Sequence, residues 1–159
     1  MKKIAILLLI AVMGSCASTK VERQAERTFK GDWTLTKITY PNSSGFVDVN
    51  MFNDASANCF RNSDWSFISN NNKGSYILSG TNCSSQPQEF VWSVQEVQAN
   101  SNTFNFTLKP VDDGENARKI DTGFRMSLVN LSENAMVWEQ NVTYNGEPFL
   151  IRMQFNKKF

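Results

Sequence analysis

From residue 29 onward, hydrophobic and polar residues alternate in short runs separated by clusters of Asn, Ser, Gly, Asp and Pro. A period of two sends successive side chains to opposite faces of an extended chain, so the pattern predicts strands. Eight are expected, over residues 32–40, 64–69, 75–80, 89–98, 102–109, 122–130, 135–144 and 148–156. The connections 70–74, 99–101, 131–134 and Asn145-Gly146-Glu147 are short and rich in turn residues, which favours antiparallel hairpins in a meander.

The same alternation says which residues share a face. Phe90, Trp92 and Val94 lie together, as do Phe104, Phe106 and Leu108; Phe124, Met126 and Leu128; Met136, Trp138 and Val142; and Phe149, Ile151, Met153 and Phe155. Their opposite faces are mostly polar, so a long sheet with one apolar face must cover that face. No amphipathic helix long enough to do so is expected. An all-β fold follows, an eight-stranded antiparallel up-and-down barrel, with a two-sheet sandwich as the structural alternative. In the first strand Trp33 and Leu35 share a face, Lys37 breaks the alternation, and Ile38 and Tyr40 resume it one residue out of step, which predicts a bulge near Lys37. Residues 41–61 form the longest connection, expected as a lid-like loop across an open end, and the charged 110–121 loop is expected to be solvated.

The N-terminus follows a different pattern. Lys2 and Lys3 precede an apolar run over residues 4–13, and then come Gly14, Ser15 and Cys16. This is the layout of an export signal, and the run is far short of the roughly 20 residues that span a bilayer. Met13-Gly14-Ser15-Cys16 resembles the lipobox of bacterial lipoproteins. The resemblance implies cleavage before Cys16, acylation of that cysteine by chains such as palmitate, and a membrane anchor. Three segments are therefore expected: a signal peptide over 1–15, a lipidated N-terminus and polar tether over 16–28, and one domain over 29–159. Losing Lys2 and Lys3 takes the formal charge from +1 to −1, which points to no nucleic-acid partner. Ala17 after the cysteine, with no Asp there and no acidic run, fits the outer membrane facing the periplasm, and the protein is expected to be a monomer.

With Cys16 acylated, Cys59 and Cys83 remain in an oxidising compartment, where they are expected to form a disulfide; two buried free thiols are the alternative.

Gly31-Asp32-Trp33, at the head of the first strand, is similar to the GxW element of the lipocalins, eight-stranded barrels that bind small hydrophobic molecules. With the lipobox, the tether and the meander, the whole mature length resembles a bacterial lipid-anchored lipocalin-like protein. The resemblance implies that Trp33 packs across the closed end of the barrel against a basic residue of the last strand. Arg152 is the expected partner, although its parity opposes that of Ile151 and Met153, and Lys157 competes for the role. The acidic-aromatic turn of many lipocalins is missing, since Leu131-Ser132-Glu133-Asn134 stands in its place.

Composition narrows the chemistry. The chain has no histidine, which excludes Ser-His-Asp, Cys-His and His-metal sites, and no cofactor or metal is expected. No enzyme is expected; Glu96 and Glu139 are the strand carboxylates of interest. The candidate ligand lining comprises Trp65, Phe67, Tyr76, Trp92, Phe106, Met126, Met136 and Trp138, with Glu96 and Gln140 as inward polar groups. These side chains suit either a small-molecule cavity or a filled core. The expected function is binding or sequestration of a small hydrophobic or amphipathic molecule. The alternative is a structural module that presents its loops to another envelope protein.

Overall fold

The computed structural model describes residues 20–43, 47–96, 104–112, 123–144 and 146–159. The elements run α1 (Lys20–Phe29), β1 (Gly31–Thr39), β2 (Asn50–Met51), β3 (Ala55–Ser56), α2 (Ala57–Phe60), β4 (Ser63–Ile68), β5 (Lys73–Ile77), β6 (Gln88–Glu96), β7 (Phe104–Val111), β8 (Phe124–Leu131), β9 (Ala135–Tyr144) and β10 (Glu147–Lys157). Eight of the strands close a barrel in the order β1-β10-β9-β8-β7-β6-β5-β4, and β4 returns to pair with β1. Every neighbouring pair is antiparallel. Closure leaves no sheet edge and encloses the apolar faces, which decides for the barrel over the sandwich.

The bulge expected near Lys37 is present: the pairing of β1 with β10 slips between Leu35 and Lys37, and Trp33, Leu35 and Ile38 all face inward and are buried. A second slip, between Leu128 and Asn130, turns Val129 out to solvent. Between β1 and β4 the chain adds the small β2–β3 hairpin and α2.

The stretch expected to run as a polar tether is helical from Lys20, a correction to that expectation. Val21, Ala25 and Phe29 recur every fourth residue, the spacing that aligns side chains along one face of a helix. Ala25 and Phe29 are buried, while Arg23, Gln24 and Arg27 face solvent. Phe29 enters the lower mouth of the barrel, the end at which β1 begins. There its ring stacks on Trp92 at 5.4 Å and on Phe106 at 5.1 Å, and meets Phe67 edge-on at 5.4 Å. Burying a phenylalanine contributes about 1.5–3 kcal/mol, enough to hold a helix too short to be stable in isolation.

Candidate functional site

The lower end is closed by a small set of contacts. Trp33 is fully buried, and its Nε1 donates to the Phe29 carbonyl at 2.8 Å. Lys157 places Nζ 5.0 Å from the centroid of the Trp33 ring and donates to the Thr28 carbonyl at 3.3 Å. A cation here meets both the face of an indole and the negative end of α1. Gly31 stands at φ +116°, a conformation that suits glycine, and a Cβ there would come within 3.2 Å of the Lys157 Cε. Arg152 does not take part: it lies opposite Thr39, six positions along β1 from Trp33, and pairs with Glu139 through Nε at 2.7 Å. Its outward parity prevails, and β10 pairs Lys157 opposite Trp33. Glu139 is thereby occupied as an ion-pair partner on the outer wall.

The expected lining residues come together inside the barrel. Trp65, Phe67, Tyr76, Trp92, Phe106, Met126, Met136 and Trp138 are all buried. The aromatic rings among them form one continuous cluster, with Trp138 4.2 Å from Phe155 and 4.5 Å from Phe106. Trp65 lies 4.6 Å from Tyr76 and perpendicular to Trp138 at 5.6 Å. Offset and edge-on geometries of this kind add about 0.5–1.5 kcal/mol per pair beyond the area buried. The middle and lower interior is thus filled by the protein's own rings.

Three of the four tryptophans use their N–H groups: Trp33 bonds Phe29, Trp65 bonds the Ser63 hydroxyl at 2.8 Å, and Trp92 bonds the Lys73 carbonyl at 2.9 Å. Trp138 Nε1 is buried and has no hydrogen-bond partner among the described residues. An indole N–H in an apolar interior favours an acceptor strongly. Above it on the same inward parity of β9 stand Gln140, which is 9% exposed, and half-buried Val142, facing Ile151 and Phe149 of β10. Gln140 is thus a single polar group on this parity of β9, between Trp138 below and Val142 above. Glu96 ends β6 opposite Phe104, and its side chain lies outside the described residues.

The upper mouth is covered by the connection expected to act as a lid. Met51, Phe52, Ala57 and Phe60 are buried under it. Phe52 sits at the tip with φ +55°, which costs a bulky residue roughly 1–2 kcal/mol, and its ring meets Phe124 at 5.3 Å and Phe60 at 5.3 Å. The apolar residues of the 46–52 segment of this connection point to a crossing of the open end, and Phe52 makes it. Two cross-links hold the cover down. The Tyr76 hydroxyl donates to Asp54 Oδ2 at 2.7 Å, and Cys59 in α2 forms a disulfide with Cys83, beside a bond from the Ser79 N–H to the Cys59 carbonyl at 2.9 Å. Burial, then the bond to Asp54 and its charge, push the Tyr76 phenol well above its ordinary value.

Cys16 lies outside the described residues. Among the described residues no cluster of His, Cys, Asp and Glu could hold a metal ion, and no helix is long and apolar enough to cross a membrane. Open grooves lie on the outer wall: one of about 300 Å³ separates α1 from the ends of β7 and β8, and another of about 380 Å³ lies over β4 and β5.

The geometry agrees with the comparison of sequences. The model of the lipocalin-like domain matches residues 29–138, about two thirds of the chain, from the Phe29 plug through Trp138. No curated protein matches the chain. A closed eight-stranded antiparallel barrel, opened by Gly31-Asp32-Trp33 and matched over most of its length, shows that this chain belongs to the lipocalin-like domain family.

Proposed function

We propose that this protein is a lipid-anchored envelope lipoprotein, tethered to the outer membrane through Cys16, whose barrel binds a small hydrophobic or amphipathic molecule in its upper half beneath the cover over residues 47–62. The observation that carries the binding function is the buried Trp138 Nε1, which has no partner among the described residues and lies below Gln140 in a mainly apolar interior. A ligand with one acceptor for that N–H and an otherwise apolar body matches this lining. Binding displaces the strained Phe52 tip and leaves the aromatic stack below as the floor of the site. No residue is assigned a catalytic role.

Titration of the mature domain with fatty-acid probes, read by tryptophan fluorescence, tests this function. Saturable quenching is expected, with an affinity several-fold higher in Phe52→Ala, which clears the mouth. Absence of saturable quenching in both proteins would remove the ligand and favour the second function, a filled barrel that presents its cover to another envelope protein. The mutual packing of the interior rings at 4.2–5.6 Å is what favours that alternative. Crosslinking in cells through residues of the cover would then trap a partner.

A further inference from the structure

The position of α1 fixes more than the closure of the lower mouth. Four residue steps separate Cys16 from Lys20, where the helix begins. An extended chain of that length reaches at most about 14 Å. If Cys16 is anchored in a lipid leaflet, as proposed above, Lys20 at the start of α1 must lie within that distance of the bilayer, and the groove residues Gln24 and Ala25 follow only about 6–8 Å farther along the helix. The cover lies at the other end, farther off by the height of the barrel, about 25 Å for strands of this length and usual tilt.

That lower end also carries a partly apolar surface with nothing packed on it among the described residues. The groove between α1 and the strand ends is lined by the apolar Ala25, Phe104, Leu128, Val129 and Leu131, with the polar Gln24, Thr28 and Asn130 beside them. Val129 is 51% exposed because the slip in β8 turns it outward at the rim of the groove. Arg23 and Arg27 stand exposed on the same helix beside the half-buried Glu22 and Glu26, and exposed Glu133 follows on the β8–β9 turn. The charge at this end is mixed, so a single-sign field does not hold it to a surface.

We infer that this groove is a membrane-seating surface: the phospholipid leaflet that holds Cys16 covers it, so that the barrel stands on the bilayer with α1 down and the cover facing away. The inference rests on the anchor proposed above. The short reach of the chain keeps the leaflet near the groove, and the apolar residues of its rim, Val129 above all, supply what a lipid surface accepts.

The test uses the full acylated chain in vesicles of phosphatidylcholine, with and without phosphatidylglycerol. An environment-sensitive fluorophore is placed at Val129→Cys or, at the opposite end of the barrel, at exposed Glu147→Cys. Nitroxide-labelled lipid should quench the Val129 probe at least several-fold more than the Glu147 probe, with little effect of salt or of phosphatidylglycerol. Equal quenching, or stronger quenching at Glu147, in protein that floats with the vesicles would overturn the orientation while leaving the anchor intact. Protein that neither floats nor carries the acyl mass on Cys16 would remove the anchor and this inference together. A variant with a long Gly-Ser insert between Thr19 and Lys20 separates seating from tether length. Quenching at Val129 should persist in it; its loss would show proximity enforced by the tether alone and would overturn the seating surface.

Discussion

Lys157 lies over the ring of Trp33, with Nζ 5.0 Å from the centroid, while both side chains also bond carbonyls in the last turn of α1. One cation thus ties the end of the final strand to the start of the first and to the helix that plugs the barrel. Lys157→Met keeps most of the stem and removes the charge. It should cost about 1 kcal/mol, the sum expected from a partly exposed cation on an indole and from a cation at a helix C-terminus. Arg152→Met should cost less, about 0.5 kcal/mol, because the Arg152 side chain is 41% exposed in its pair with Glu139. Urea denaturation of the two variants side by side checks the order.

That contact shows what could be read from the chain and what could not. Trp33 was legible through the resemblance of Gly31-Asp32-Trp33 to the GxW element of the lipocalins. Its partner was legible only as a choice between Arg152 and Lys157, because register belongs to the pairing of two distant strands: Lys157 comes opposite Trp33 through the β1–β10 ladder, and its own strand does not reveal this. The barrel was legible throughout, since long alternating strands with polar outer faces leave few ways to bury the inner ones. The α1 plug was missed because a boundary drawn before Phe29 divided the four-residue recurrence of Val21, Ala25 and Phe29. The lining residues were legible as inward, but whether they enclose space or fill it depends on how their volumes meet in three dimensions. The perpendicular approach of Trp65 to Trp138 has no counterpart in their sequence spacing.

Phe29 supplies a second prediction. Its ring touches Phe67, Trp92 and Phe106 at once, so Phe29→Ala removes the floor of the aromatic stack and the only large apolar side chain α1 is shown to bury. A cost of about 3–5 kcal/mol is expected for a phenylalanine truncated in a packed core. Loss of helical signal in circular dichroism and a red shift of tryptophan emission should accompany it. Retention of both at wild-type stability would show that the plug contributes nothing.

Tyr76 makes stability depend on alkaline pH. Its phenol is held above the usual tyrosine value of about 10 by burial and by the hydrogen bond it donates to Asp54, so the folded chain keeps the proton after the unfolded chain has released it. The stabilisation is complete below pH of about 10 and is lost as pH rises from there toward the raised folded value. Tyr40 adds to the trend: burial raises its phenol as well, Arg61 opposes the shift and Asp48 reinforces it. Absorbance at the tyrosinate band should therefore show a fraction of the phenols ionising late and together with unfolding. In Tyr76→Phe that late fraction should shrink. A titration of the wild type with every phenol ionising near pH 10, in protein that remains folded, would contradict the buried bond.

The disulfide offers the sharpest test of the cover. Cys59 and Cys83 are 24 residues apart, and cross-linking a loop of that length stabilises by about 3 kcal/mol through the entropy it removes from the unfolded chain. Cys59→Ser with Cys83→Ser should lower stability by that order. The native effect is local, because Cys59 sits in α2 on the cover and Cys83 in the β5–β6 connection of the barrel wall. Without the cross-link, the Tyr76–Asp54 bond and the Ser79–Cys59 backbone bond remain to hold the strained Phe52 tip over Phe60 and Phe124. Hydrogen exchange should then rise in residues 47–62 and stay slow in β7, β9 and β10, where Phe106, Trp138 and Phe155 pack without reference to the cover. Fatty-acid probes should also quench the tryptophans faster in the double variant, because opening of the mouth precedes entry. If exchange rises evenly across the barrel, the cross-link acts on the whole fold and not on the mouth, and the cover loses its role as the gate to the interior.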